Sequence, residues 1–163
     1  MRRKGRPSSG NYGMVAEKRV DRALAELQSD GVIHFWFRAP KNIDAEGIDH
    51  IFGRSHSKFS VGIVQVTSGK KKRRTYYRKL SAHELTRARK PYYRRRYYRY
   101  IPLIAVTPLV KDHRIKEKLK NISSAYKSVF ENRRCPLRTR TLIAKFLAER
   151  GIAVPRHILA QTP

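Results

Sequence analysis

Between Phe59 and Thr67 the chain sets Phe59, Val61, Ile63, Gln65 and Thr67 on one parity and Ser60, Gly62, Val64 and Val66 on the other. Successive side chains of a strand point to opposite faces, so this segment carries apolar groups on both. Such a strand belongs in the middle of its sheet, with cover on either side.

The flanking segments supply the cover. Met14, Val15, Val20, Leu24 and Leu27 recur at helical spacing, with Ala16, Ala23 and Ala25 as good helix formers, and predict a helix over Met14 to Gln28 that ends near Gly31. Val32 to Phe37, rich in β-branched and aromatic residues, is expected as a first strand. Gly47 to Phe52, closed by Gly53, is expected as a second, after a polar turn from Ala39 to Glu46. Ser81 and Glu84 stand at capping-box spacing and predict a helix that runs to Lys90, before Pro91. Tyr100 to Val106 reads as a further strand whose Pro102 argues for an edge position or late pairing. Ile115, Leu119, Ile122, Tyr126 and Val129 fall on one face of an amphipathic helix. A last helix is expected from Thr139 to Arg150, with Leu142, Ile143, Phe146 and Leu147 buried and Gly151 just past its end. The order α-β-β-β-α-β-α-α defines an α/β fold. Residues 1–13, basic and rich in Gly, Pro and Ser, read as a flexible arm, 14–130 as one domain, and 131–163 as a C-terminal helical extension.

Charge narrows the function. With 38 Lys and Arg against 12 Asp and Glu, the chain carries +26 at pH 7, a single-sign field that opposes compaction unless a polyanion offsets it. A nucleic-acid backbone is that polyanion, because each phosphate met by a cation releases condensed counterions. A membrane is not expected as a partner, since no apolar run approaches the ~18 residues of a spanning segment. The first residues lack the apolar core of a signal peptide and Cys135 is the single cysteine, so an intracellular protein, of cytoplasm or nucleoid, is expected. The six His show no paired ligand spacing, and neither a phosphate-binding Gly-rich loop nor a serine-nucleophile motif is present.

One constellation can carry chemistry. Asp49 lies in the second strand, and Gln65 and Thr67, two apart on the third, share a face. If these strands pair as a hairpin, Asp49 meets them, and Glu17 on the first helix could add a second carboxylate. An acid beside such a pair can hold one Mg²⁺, a hard cation that takes oxygen ligands and keeps several waters, and that would polarise a phosphodiester and generate hydroxide. Plainer roles stand beside these: Asp49 accepting backbone hydrogen bonds at a strand end, Gln65 satisfying a neighbouring strand, Thr67 a good β-former. Glu17 has no basic residue at helical ion-pair spacing, which suits a solvated first-turn acid.

The stretch EGIDHIF, Glu46 to Phe52, followed by FSVGIVQVTSGKKK, Phe59 to Lys72, resembles the PD-(D/E)XK nuclease superfamily, in which an Asp in one strand precedes a strand carrying Glu or Gln, an apolar residue, then Lys. The resemblance covers Met14 to Val106, a little over half the chain. It implies a restriction-endonuclease-like αβββαβ core around a mixed sheet, with Asp49 and Gln65 as ligands of Mg²⁺ or Mn²⁺, the Val66 carbonyl as a further ligand and Glu17 as an outer acid. Gln at the Glu position occurs within that superfamily. Thr67 departs from the pattern, standing at the catalytic Lys position, and a Thr cannot supply the charge that orients water and stabilises the transition state. Lys70, Lys71 and Lys72 follow in a loop and are read as phosphate binders.

Two basic blocks, KKKRRTYYRK and RKPYYRRRYYRY, mark the nucleic-acid surface. Lys70, Lys71, Lys72, Arg73, Arg74, Arg78, Arg94, Arg95 and Arg96 are the expected phosphate contacts. Tyr76, Tyr77, Tyr97 and Tyr98, with Tyr92 and Tyr93, offer faces for bases or sugars, though about half of these rings are expected to pack under the sheet. The mixture suits RNA or single-stranded or junction DNA. LIAKFLAERGIAVPRHILAQ has some likeness to a helix-turn-helix but suits a helical hairpin that completes the core. The expected function is nucleic-acid binding by a catalytically lapsed nuclease-like protein, a structural component of a ribonucleoprotein or DNA complex with other proteins of that particle as further partners. Binding is expected to need no cofactor. The alternative is a metal-dependent DNA or RNA endonuclease.

Overall fold

The computed structural model describes residues 9–56, 58–68, 101–125 and 128–161. Four strands, β1 (Phe35–Arg38), β2 (His50–Arg54), β3 (Ser60–Thr67) and β4 (Leu103–Ala105), form one sheet in the order β1-β2-β3-β4. β1 and β3 both run antiparallel to β2, and β4 runs parallel to β3. The sheet is therefore mixed, and β3 is interior to it, as its two apolar faces require. β4, like β1, is an edge strand among the described residues, and the Pro102 carbonyl accepts the Gln65 N–H at 2.9 Å before β4 begins, so pairing starts on the one group that Pro can offer.

Helices cover both faces. On one, Phe52, Val64 and Ile104 pack under α1 (Ser9–Ser29), through Val20, Leu24 and Leu27, and under α3 (Asp112–Ala125), through Ile115, Leu119 and Ile122. On the other, Phe35, Ile51, Val61 and Ile63 meet Ile143, Ala144, Phe146 and Leu147 of α4 (Leu137–Glu149). Ile43 of α2 (Lys41–Asp44) and Ile158 of α5 (Arg156–Leu159) enlarge that second cluster. α1 and α3 are also joined by charge. Arg19 donates to Asp112 Oδ1 at 2.8 Å, to the Thr107 carbonyl at 3.0 Å and to the Val110 carbonyl, while Lys116 lies 3.2 Å from Glu26 and 2.8 Å from Asp30.

Gly31 and Gly151 end α1 and α4 in the same way. At φ +70° and +80° they occupy the left-handed region that L side chains avoid. Val32 N–H then reaches Leu27 O and Ile152 N–H reaches Leu147 O, each at 3.0 Å, satisfying carbonyls the helix leaves open.

Several boundaries differ from the sequence reading. α1 starts at Ser9, inside the expected arm, because adding a turn to a helix already anchored by its buried stripe is cheap even across Gly10 and Gly13. The polar turn from Ala39 to Glu46 contains α2, held by Ile43, which is fully buried. Val129 does not extend the face of α3: it follows that helix, donates its N–H to Val61 O at 2.8 Å and joins the opposite cluster. Leu142 is only half-buried. The segment expected as an extension supplies the layer on that opposite face, α5 included. The helix expected from Ser81 to Lys90, and Tyr126, lie outside the described residues.

Candidate functional site

Asp49 stands just before β2, and the register that pairs His50 with Val64 brings it opposite Gln65. Its N–H donates to Val64 O at 2.9 Å, its carbonyl accepts the Ala39 N–H at 2.8 Å, and its Oδ2 accepts the Val66 N–H at 2.5 Å. The side chain thus takes a place in the hydrogen-bond ladder and ties the start of β2 to the end of β3. By alternation Asp49 shares the face of Ile51, and Gln65 and Thr67 share that of Ile63, which is the α4 side in both cases. The three polar residues named from the sequence therefore stand on one face of adjacent strands.

Their environments differ. Thr67 is buried at the end of β3. Among the described residues the buried Gln65 Oε1 has no hydrogen-bond partner. Burial, with the Glu17 and Asp44 carboxylates adding repulsion, pushes the Asp49 carboxyl up to about 7 against the pull of the Val66 N–H. Close to neutrality Asp49 is half protonated.

Glu17 belongs to the other side of the sheet. It lies in the third turn of α1, not the first, and pairs with Arg38 at 3.3 Å. The partner comes from β1, which helical ion-pair spacing does not reveal. Glu17 acts on Asp49 through space without sharing its face.

That other side holds a network the sequence reading passed over. His50, 1% exposed, directs Nε2 to Asp21 Oδ1 at 2.7 Å, and Arg38 holds the other Asp21 oxygen at 2.5 Å. His50 Nδ1 is buried without a partner among the described residues. Burial lowers the His50 pKa, and the Asp21 contact only partly restores it. Burial would raise the Asp21 carboxyl, but Arg38 and His50 together bring it below its usual value. Parity alone could have located His50: one residue from Asp49, it must point to α1, where Asp21 follows Glu17 by one turn.

Lys70, Lys71, Lys72, Arg73, Arg74, Tyr76, Tyr77, Arg78, Tyr92, Tyr93, Arg94, Arg95, Arg96, Tyr97 and Tyr98 lie outside the described residues. The attachments of that segment are described. It leaves β3 after Thr67 and Ser68 and returns through Ile101 and Pro102, and because β3 and β4 are parallel, with Gln65 opposite Leu103 and Thr67 opposite Ala105, the exit lies at one end of the paired stretch and the return at the other, with Gln65 between them.

For a divalent ion the α4 face offers the second oxygen of Asp49, the Oε1 of Gln65 and, at the end of β3, the hydroxyl of Thr67. The orphaned oxygen fits a cation. Among the described residues no group of three His, Cys, Asp or Glu side chains is set to hold a metal, so an ion here would keep most of its water. No helix among the described residues is long and apolar enough to cross a membrane. No family model, curated protein or solved structure matches the chain.

Proposed function

We propose that this chain binds nucleic acid through the connection between β3 and β4, on a nuclease-like core whose catalysis has lapsed, as a structural component of a ribonucleoprotein or DNA complex. One observation carries the reading. Fourteen of the 38 basic residues, with Glu84 as the single acid, lie between Lys70 and Tyr100, in the one connection that joins the parallel strands β3 and β4. Many acids of the described core are engaged internally: Glu17, Asp21, Glu26, Asp30, Glu46, Asp112 and Glu117 all form ion pairs. Those acids therefore do not offset the charge of the segment, which calls for a polyanion.

The mixed sheet, its helix-strand order and the shared face of Asp49, Gln65 and Thr67 support the nuclease-like reading of the core. Lapsed catalysis is supported by the chemistry of that face. Thr67 supplies no charge at the position of the superfamily's Lys, and Asp49 spends one carboxylate oxygen on the Val66 N–H. The alternative, a metal-dependent endonuclease, is favoured by the orphaned Gln65 oxygen beside Asp49.

Fluorescence anisotropy with single-stranded RNA, structured RNA and junction DNA across a salt series tests the binding. Replacing Lys70, Lys71, Lys72, Arg73 and Arg74 with Gln should weaken binding and lower the slope of log affinity against log salt by up to about 4, since each phosphate contact contributes ~0.7–0.9. An unchanged slope would remove this segment from the interface. Cleavage assays with Mg²⁺ or Mn²⁺ on the wild type, Asp49→Ala and Thr67→Lys separate the two readings: vigorous wild-type cleavage lost in Asp49→Ala establishes the endonuclease, whereas cleavage only in Thr67→Lys supports the lapsed core.

A further inference from the structure

At the far end of the β2–β3 hairpin from Asp49 and Gln65 lies a cavity of about 580 Å³, within the range of ligand sites. Three stretches distant in sequence enclose it: the turn between β2 and β3, the turn that follows α3, and α5. Its walls are fixed to the sheet, because Val61 N–H donates to Ser128 Oγ at 3.1 Å and Val129 N–H donates to Val61 O at 2.8 Å. One side is apolar, with Phe59 and Phe130 at 6.0 Å between centroids and 27° from parallel. The rim is polar, with Lys58, His157, Glu131 and Gln161 on it.

Glu131 decides what the cavity can take. It forms no ion pair among the described residues, and a free carboxylate repels phosphates. Beside aromatic rings, the Lys58 ammonium and the His157 imidazole, it can instead accept hydrogen bonds from a base edge. A carboxylate has only acceptors, so it selects bases that present donors: guanine offers two adjacent N–H groups, cytosine one amino group, and uracil or thymine flank their single N–H with carbonyls. Bases stacked in a duplex have no free face to offer, whereas a splayed one can lie against an aromatic ring.

We propose that this cavity receives one unstacked guanine base of a bound strand, its edge on Glu131, its face against Phe59 and Phe130, and its flanking phosphates on Lys58 and His157. The assignment rests on nucleic-acid binding by the chain and adds a base-reading contact at the turn end of the β2–β3 hairpin.

The test uses the full chain and anisotropy with 12-mer oligouridylate carrying one central G, C or U, alongside the corresponding oligothymidylate series, since the chemistry belongs to the base and not the sugar. The wild type should prefer the G oligomer to the U oligomer by roughly 5- to 100-fold, the span of a good bidentate base contact. Glu131→Gln, a substitution on the exposed rim, should erase that preference while affinity for the U oligomer stays the same or rises, and Phe59→Ala should weaken the G oligomer more than the U oligomer. Equal binding of all oligomers by the wild type, or a preference that survives Glu131→Gln, overturns the cavity assignment and leaves general binding standing. No binding of any oligomer overturns both.

Discussion

Replacing Asp49 with Asn should make the protein more stable at pH 8 and no more stable at pH 3.5. Asn has the same size, its carbonyl can accept the Val66 N–H, and its amide can donate to the orphaned Gln65 Oε1. In the wild type the carboxyl rises from 3.8 to about 7 on folding, so the folded chain keeps a proton that the unfolded chain releases. The stabilisation this gives is complete below pH 3.8 and is lost as pH rises through 7. At about 1.4 kcal/mol per pKa unit the loss by pH 8 has a ceiling of about 4 kcal/mol, and relaxation around the buried charge brings it to roughly 2–4 kcal/mol. For a chain of this length 1 kcal/mol moves the melting temperature by ~2–4 °C, so Asp49→Asn should melt roughly 5–15 °C higher at pH 8. Thermal melts of both proteins from pH 3.5 to 9 provide the measurement. His50 contributes with the opposite sign: held below 6.5 in the fold, it stabilises above that pH and loses its contribution as pH falls. The variant, freed of Asp49, should therefore lose stability on acidification more steeply than the wild type between pH 7 and 5. A variant that melts below the wild type at pH 8, or that tracks its pH profile in parallel, would refute the account of Asp49 as a buried, proton-holding carboxyl.

Asp21→Ala removes the acceptor shared by His50 and Arg38 and should cost about 1–3 kcal/mol in urea denaturation at pH 7.5, because His50 then has both ring nitrogens buried without a partner. Burial pushes the Cys135 thiol up to about 12, so a disulfide-exchange reagent at pH 8 should label it only after urea is added. Gly151→Ala should lower stability by about 1–2 kcal/mol through its φ of +80° alone, as an added Cβ meets nothing within 4 Å. Gly53→Ala should cost considerably more in the same melts, since a Cβ there would stand 2.0 Å from the Ser60 carbonyl oxygen.

The hairpin of β2 and β3 was legible because alternation is local: parity alone put Asp49, Gln65 and Thr67 on one face. Gly31 and Gly151 were legible as helix ends for a similar reason, each acting within its own turn. What escaped depends on partners far along the chain. Arg38 satisfies Glu17 and Asp21 from a strand, and no spacing rule within α1 reports that contact. Val129 matches the period of α3 by sequence yet is drawn to Val61, so tertiary pairing overrode the period. The cavity beside Phe59 and Phe130 is built from three stretches that become neighbours only on folding.

The bond between Arg19 and Asp112 joins residues 93 apart in sequence, and with it the whole packing of α1 on α3. During synthesis α1 emerges first, whereas Ile115, Leu119 and Ile122, which cover part of its buried stripe, emerge last among the elements of that face. At ~5–20 residues per second the gap lasts on the order of 5–20 s, during which Val20, Leu24 and Leu27 have only the hairpin to lie against. The fourteen cations between Lys70 and Tyr100 are translated within that interval, so a nascent chain has its most basic segment free before its first helix is sealed. Chains that stall before Asp112 would be left with a bare apolar stripe and a full complement of that segment's charge, a combination that quality control would meet as a sticky polycation.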